Sequence, residues 1–155
     1  MLQEKNDFVS WKIGGGRTLG PAPFFVVGIV NCTPDSFYDG GQSATYEAAV
    51  QRALDLLDQG AQIIDLGGES TRPFAEPVSA EQEIQRVLPV VQEILRQRPQ
   101  AVLSIDTVKA QVARLCLQAG ALIINDVSAL GADPALLDVL LEYEPGYVLM
   151  HSQGN

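Results

Sequence analysis

The chain has 155 residues, 46% of them apolar and 19% charged, with 14 Gly and 9 Pro. That composition excludes a disordered, collagen-like or low-complexity chain and is enough for one domain with a core. Nineteen acidic against ten basic residues give a formal charge of −9, which argues against a nucleic-acid or anionic-membrane partner.

The longest apolar run, Ala22 to Val30 broken by Pro23 and Gly28, is far short of the roughly 20 residues that span a bilayer. The polar start, Met1 to Asp7, has no secretory pattern. Cys32 and Cys116 stand far apart, which fits a reducing cytoplasm better than a disulfide framework or zinc site.

In chain order, Phe8 to Ile13 alternates and then meets Gly14-Gly15-Gly16, which predicts an N-terminal β-hairpin segment over 1–20. Five short β-rich runs follow in 21–155: Phe24–Val30, Gln62–Leu66, Val102–Asp106, Leu122–Asn125 and Tyr147–Met150. Their nearly continuous apolar character suits strands buried on both faces of a parallel sheet.

Helical spacing fills the gaps. Tyr46, Ala49, Val50, Ala53 and Leu57 mark one helix, closed by Gly60. Ser79 and Gln82 form a capping box for a second, with Ile84, Val87, Leu88, Val91 and Leu95 inward and Pro99 as its stop. Thr107 is the expected cap of a third, with Val112, Leu115, Cys116 and Ala119 inward and Gly120 at its end. Asp133-Pro134 reads as the N-cap and first residue of a fourth, Ala135 to Leu141.

Right-handed crossovers turn such a β-α alternation into a parallel sheet covered by helices. No G-x-G-x-x-G follows the first strand, so a dinucleotide fold is disfavoured. Five units of about 31 residues extrapolate, for eight, to about 250, the usual size of a (β/α)8 TIM barrel. The predicted fold is α/β: about five of the eight βα units of that barrel, preceded by the hairpin.

Each apolar run ends in polar residues: Asn31 to Gly41, Asp65 to Pro73, Asp106-Thr107, Asn125-Asp126, and His151 to Asn155. In a parallel barrel these ends share one rim, where barrel enzymes build their sites. Separately, each has a plain structural reading. Asp106, Thr107, Asn125 or Asp126 could cap helices, Asp65 could pair with a cation, and Arg72 could be a solvated loop residue. From Thr18 to Gln51 there is no Lys or Arg, while Asp35, Asp39 and Glu47 are present. A phosphorylated ligand meeting that stretch would need a hard cation such as Mg²⁺, to which Asn31 could lend a carbonyl oxygen.

Asn31-Cys32-Thr33-Pro34-Asp35-Ser36-Phe37 with Asp39-Gly40-Gly41, and Gly67-Gly68-Glu69-Ser70-Thr71-Arg72-Pro73, resemble the two signature segments of the dihydropteroate synthase family. Ser104 to Thr107, Ile124 to Val127 and Leu149 to Asn155 resemble its next three strand ends, in the same order. The resemblance implies a barrel that condenses 6-hydroxymethyl-7,8-dihydropterin diphosphate with 4-aminobenzoate, giving 7,8-dihydropteroate and diphosphate. Implied with it are Mg²⁺ as cofactor, small-molecule substrates, a cytoplasmic homodimer, and competition by sulfonamides.

Carried over by position, Asn31 is the metal and diphosphate residue. Asp106 and Asn125 hold the pterin edge, and Met150 lines its pocket. Thr33, Asp35, Phe37, Asp39, Thr71, Arg72 and Pro73 fall on the two loops that meet diphosphate and aminobenzoate, with Arg72, Asp35 and Thr71 as catalytic candidates. Cys32 stands where the family usually has a small apolar residue, and Phe74 where glycine is common.

In this family the last three strands add a further Asp, a Lys and an Arg-x-His, none of which precedes Asn155. The 155 residues by themselves are therefore expected to be incomplete and inactive. Two alternatives remain at this point: a truncated, non-catalytic pterin-binding or dimerising module, and a methyltetrahydrofolate-dependent corrinoid methyltransferase.

Overall fold

Among the described residues, five parallel strands lie in a single sheet whose spatial order repeats their order along the chain. A computed structural model of the protein describes residues 8–33, 41–69 and 77–151. The elements are β1 (Val9–Lys12), β2 (Thr18–Ala22), β3 (Val27–Asn31), α1 (Gly41–Asp58), β4 (Ile63–Gly67), α2 (Ala80–Gln97), β5 (Leu103–Asp106), α3 (Ala110–Gln118), β6 (Ile123–Asp126), α4 (Leu136–Tyr143) and β7 (Gly146–Leu149). β3-β4-β5-β6-β7 runs without the reversal that marks a doubly wound sheet. It is the order of consecutive barrel staves, with β3 and β7 at the edges.

The four helices among the described residues all cover one face of this sheet. The outward residues Val30, Ile64, Leu66, Leu103, Ile105 and Ile124 pack there against Ala53, Val87, Val91, Val112 and Cys116. Among the described residues, the inner face is closed only at the N-terminal end of the strands. β1 and β2 form a separate antiparallel ribbon, and Ile13 just after β1 joins Ile63, Val102 and Ile123 in a second apolar cluster. The Gly14 N–H donates to the Leu122 carbonyl at 2.9 Å, tying the ribbon to the sheet. One end is thus plugged, and among the described residues nothing covers the carboxyl ends of the strands.

Among the described residues, no helix is long and apolar enough to cross a membrane. The capping box is present: Ser79 Oγ accepts from the Gln82 N–H at 3.2 Å and Gln82 Oε1 accepts from the Ser79 N–H at 3.0 Å. Gly60 and Gly120, at φ +101° and +110°, close the first and third helices in the conformation the sequence assigns them.

Four expectations need correction. The buried face of α2 is Glu83, Val87, Val90, Val91 and Ile94, with Ile84, Leu88 and Leu95 only half-buried against it. On α3, Ala113 and Leu117 are buried beside Val112 and Cys116, whereas Leu115 is half-buried. Thr107 does not cap α3, because a tight turn intervenes in which its Oγ1 accepts from the Lys109 N–H at 3.2 Å. The cap position is Lys109, which supplies no side-chain acceptor.

That acceptor comes from 23 residues away. Asp133 Oδ2 takes the Ala110 N–H at 2.8 Å, and Oδ1 takes the Ala135 N–H at 3.0 Å in the turn leading into α4. One carboxylate therefore serves the starts of two helices, where both its acceptor capacity and its charge are favourable. It is not the N-cap of α4 itself, which begins at Leu136 after Ala135. Asp133→Ala is expected to cost about 2 kcal/mol in urea unfolding, twice the typical loss of a single cap. A change below about 0.5 kcal/mol, the loss for the weakest single cap, would show that water replaces both bonds equally well.

Candidate active site

Strand register builds the open end of the sheet in layers. Asn31 pairs with Gly67, Gly67 with Asp106, Asp106 with Asn125, and Asn125 with Val148. These five residues form one inward-facing row, because successive strand residues alternate between faces. The row beneath is Ile29, Asp65, Ser104, Ile123 and Gly146 by the same pairings.

Gly67 lies between Asn31 and Asp106 in this row, so the two side chains flank one position of the rim. A Cβ there would stand 3.6 Å from Asp106 Oδ2 and 3.8 Å from Asn31 Oδ1. Two oxygen donors from strands that are not neighbours thereby share one patch at the rim.

Asp106 is half-buried, and among the described residues no hydrogen-bond donor meets its carboxylate. Burial, followed by the negative charges of Asp65, Glu83, Asp126 and Glu69, pushes its pKa up to about 6. Its neighbour Asn125 donates from Nδ2 to Asp65 Oδ2 at 3.0 Å. Asp65, for which the sequence allowed either ion pairing or ligand contact, has no ion pair among the described residues. Asp65, Ser104 and Asn125 line a cavity of about 250 Å³ whose other walls include Val27, Ile29 and Val148.

Asp126 belongs to the scaffold. It is fully buried and accepts from the Ser128 N–H and Oγ and the Leu130 N–H, each at 2.7 Å, and from the Tyr147 hydroxyl at 2.8 Å. Burial alone raises its pKa, but these hydrogen bonds outweigh it and hold the group below the ordinary carboxylate value. They also support Ala129 and Leu130 at φ +51° and +66°, a left-handed path uncommon outside glycine.

Of the other candidates, Thr33 is buried just past β3, and Met150 is exposed just past β7 with its N–H donating to the Asp126 carbonyl at 3.3 Å. Asp35, Phe37, Asp39, Thr71, Arg72 and Pro73 lie outside the described residues. Burial pushes the Cys32 thiol up to about 12, so this departure from the family pattern adds no reactive group.

A second set of side chains was not singled out from the sequence. Glu83 on α2 is 1% exposed and shares Lys109 with Glu69: the Lys109 ammonium donates to both carboxylates. Arg86 Nη1 donates to the Gly68 carbonyl at 2.9 Å. Gly68 has to be glycine for this packing, because a Cβ would stand 2.7 Å from Val87 Cγ2 and 2.8 Å from Glu83 Cγ. The strand end leaving β4 is therefore held by charge as well as by the sheet. An isolated acid on the apolar stripe of α2 was the available clue.

Residues 27–155 match the family model described as pterin binding enzyme. The chain is 46% identical over 131 residues to the dihydropteroate synthase of Synechocystis, covering 84% of this chain and 45% of that protein. Against the Bacillus subtilis dihydropteroate synthase it is 46% identical over 128 residues, covering 83% and 45%. Among solved structures, a Xanthomonas albilineans dihydropteroate synthase with 4-aminobenzoic acid is 44% identical, with TM-score 0.85, over 94% of this chain and 53% of that one. The same enzyme in complex with 7,8-dihydropteroate superposes with TM-score 0.79 at 42% identity, over 92% and 51%. The chain spans about half the length of the curated relatives it matches.

Proposed function

The chain belongs to the pterin-binding enzyme family, and we propose that it is the N-terminal part of a dihydropteroate synthase. The reaction is the condensation of 6-hydroxymethyl-7,8-dihydropterin diphosphate with 4-aminobenzoate, giving 7,8-dihydropteroate and diphosphate. The observation that carries this reading is the convergence of Asn31, Asp106 and Asn125 in one inward row at the open end of the strands.

The chemistry of that row suits a flat heterocycle with donors and acceptors along one edge. Asp106, lacking a donor of its own among the described residues, takes ring N–H groups, and Asn125 beside it both accepts and donates. Val148 and Met150 supply apolar surface for the ring. Thr33, Asp35, Phe37 and Asp39 follow the end of β3, and Thr71, Arg72 and Pro73 follow β4. We assign these to the diphosphate and aminobenzoate, with Arg72 neutralising the leaving group and Asp35 and Thr71 as further catalytic candidates on the two loops. No protein nucleophile is needed, because the departing diphosphate leaves a carbon whose positive charge the pterin ring stabilises.

Mg²⁺ fits the donor set in one respect. Asn31 Oδ1 is a hard oxygen at the rim, whereas no group of three or more His, Cys, Asp or Glu among the described residues could hold a metal. Such a site takes an ion that completes its shell with substrate phosphate oxygens and water, as Mg²⁺ does. When bound, it would neutralise charge on the diphosphate. We further propose a cytoplasmic homodimer.

The test is an assay of the full-length protein for diphosphate release and dihydropteroate formation. Both products are expected, with chelation weakening binding of the pterin diphosphate but not of the pterin alcohol. A folded protein that binds neither pterin would overturn the reading.

A further inference from the structure

Asp65 sits in the row beneath Asp106, 7% exposed, on the wall of the inner cavity. One of its oxygens, Oδ2, accepts from Asn125 Nδ2; the other, Oδ1, is buried without a hydrogen-bond partner among the described residues. A buried acceptor left unsatisfied destabilises a fold, and an apolar residue of similar size would avoid that cost. The position is thus poorly explained by stability.

Its geometry explains it better. A carboxamide has two faces of opposite hydrogen-bonding character, related by a half-turn that costs little sterically. An ionised carboxylate accepts only, so it can hold the Asn125 side chain by its nitrogen and not by its oxygen. With Nδ2 turned to Asp65, Asn125 Oδ1 is left facing away from that carboxylate, and the rim offers an acceptor there.

We propose that Asp65 is a positioning residue, whose carboxylate selects the amide orientation of Asn125 and so requires an N–H donor on the ligand edge it meets. This rests on the pterin reading of the site and specifies which of the two Asn125 groups recognises the ring.

The experiment uses the full-length protein and 6-hydroxymethyl-7,8-dihydropterin diphosphate as the probe. Asp65→Asn keeps an oxygen for Asn125 Nδ2, whereas Asp65→Leu keeps the volume and removes every acceptor. Asp65→Leu is expected to bind the probe about tenfold more weakly at undiminished Tm, the loss of an oriented hydrogen bond. Asp65→Asn should stay closer to the parent. In ¹⁵N spectra the Asn125 side-chain amide should show a hydrogen-bonded proton in the parent and in Asp65→Asn, and none in Asp65→Leu.

A purely structural role would move Tm without this parallel between the amide signal and affinity. Asp65→Leu binding within about threefold of the parent, less than one hydrogen bond is worth, overturns the assignment. So does Asp65→Asn binding no better than Asp65→Leu. A parent protein that fails to bind any pterin is a different result, and it removes the functional reading on which the assignment stands.

Discussion

Replacing Asp106 with Asn is expected to weaken pterin-diphosphate binding and to stabilise the fold at the same time. Losing the charged acceptor should cost about 1.5–3 kcal/mol of binding free energy, the range for hydrogen bonds to ionised groups. Calorimetry giving unchanged affinity would remove Asp106 from the recognition edge. The stability effect follows from its pKa, raised from 3.8 to about 6 by burial and by the neighbouring carboxylates.

A raised carboxyl pKa means that the folded chain keeps a proton the unfolded chain has released. The resulting stabilisation is complete below the unfolded value of 3.8 and is lost as pH rises through about 6. At about pH 7.5 the ionised group therefore opposes folding, and Asn, which does not titrate, relieves that opposition. Asp106→Asn should raise Tm by a few degrees at this pH. Near pH 4 the gain should disappear, since Asp106 is then protonated in the folded parent. A Tm gain that persists unchanged at the lower pH would assign it to packing. The combination of higher stability with weaker binding is the expected mark of a carboxylate retained for ligand recognition.

Removing Lys109 should have the largest effect on folding. Glu83 is almost completely buried, and Lys109 is its only cationic partner among the described residues. Lys109→Met leaves that charge uncompensated in a site of low dielectric, an expected loss of about 3–5 kcal/mol. The outer pair with Glu69 is more exposed and adds little by itself. Adding Glu83→Gln to Lys109→Met should recover most of the loss, because the buried charge is then gone. Urea unfolding of the two variants measures both statements. A single-variant loss below about 1 kcal/mol, the value of an exposed pair, would show that water reaches Glu83. Arg86 and Gly68 should be insensitive to this exchange, their contact being to a backbone carbonyl.

The residues legible without coordinates share a property: each ends an apolar run. Asn31, Asp106 and Asn125 are polar groups terminating strands, and parallel topology alone brings such ends to one rim. The strand order is equally readable, since alternating runs and amphipathic segments leave few connections once crossovers are right-handed. Thr107 failed as a cap because a chain tracing cannot tell which of several polar residues precedes the helix by one position. Its replacement, Asp133, is fixed only by the packing of α3 beside α4. Glu83 was hidden in the same way, its apolar stripe being turned slightly from the one the spacing suggested.

Local periodicity and the amino acids at each run's end determined the β-α succession, the parallel sheet and the rim candidates, because hydrophobic burial acts on patterns only a few residues long. Tertiary structure decided which charges meet: Lys109 with Glu69 and Glu83, Asp133 with two helix starts, and Asp65 with Asn125. It also set the raised pKa of Asp106 and the direction of the Asn125 amide. Coulombic and hydrogen-bond energies depend on distances of a few ångströms, here mostly between groups that lie 23 to 60 residues apart, and spacing along the chain carries no such distance.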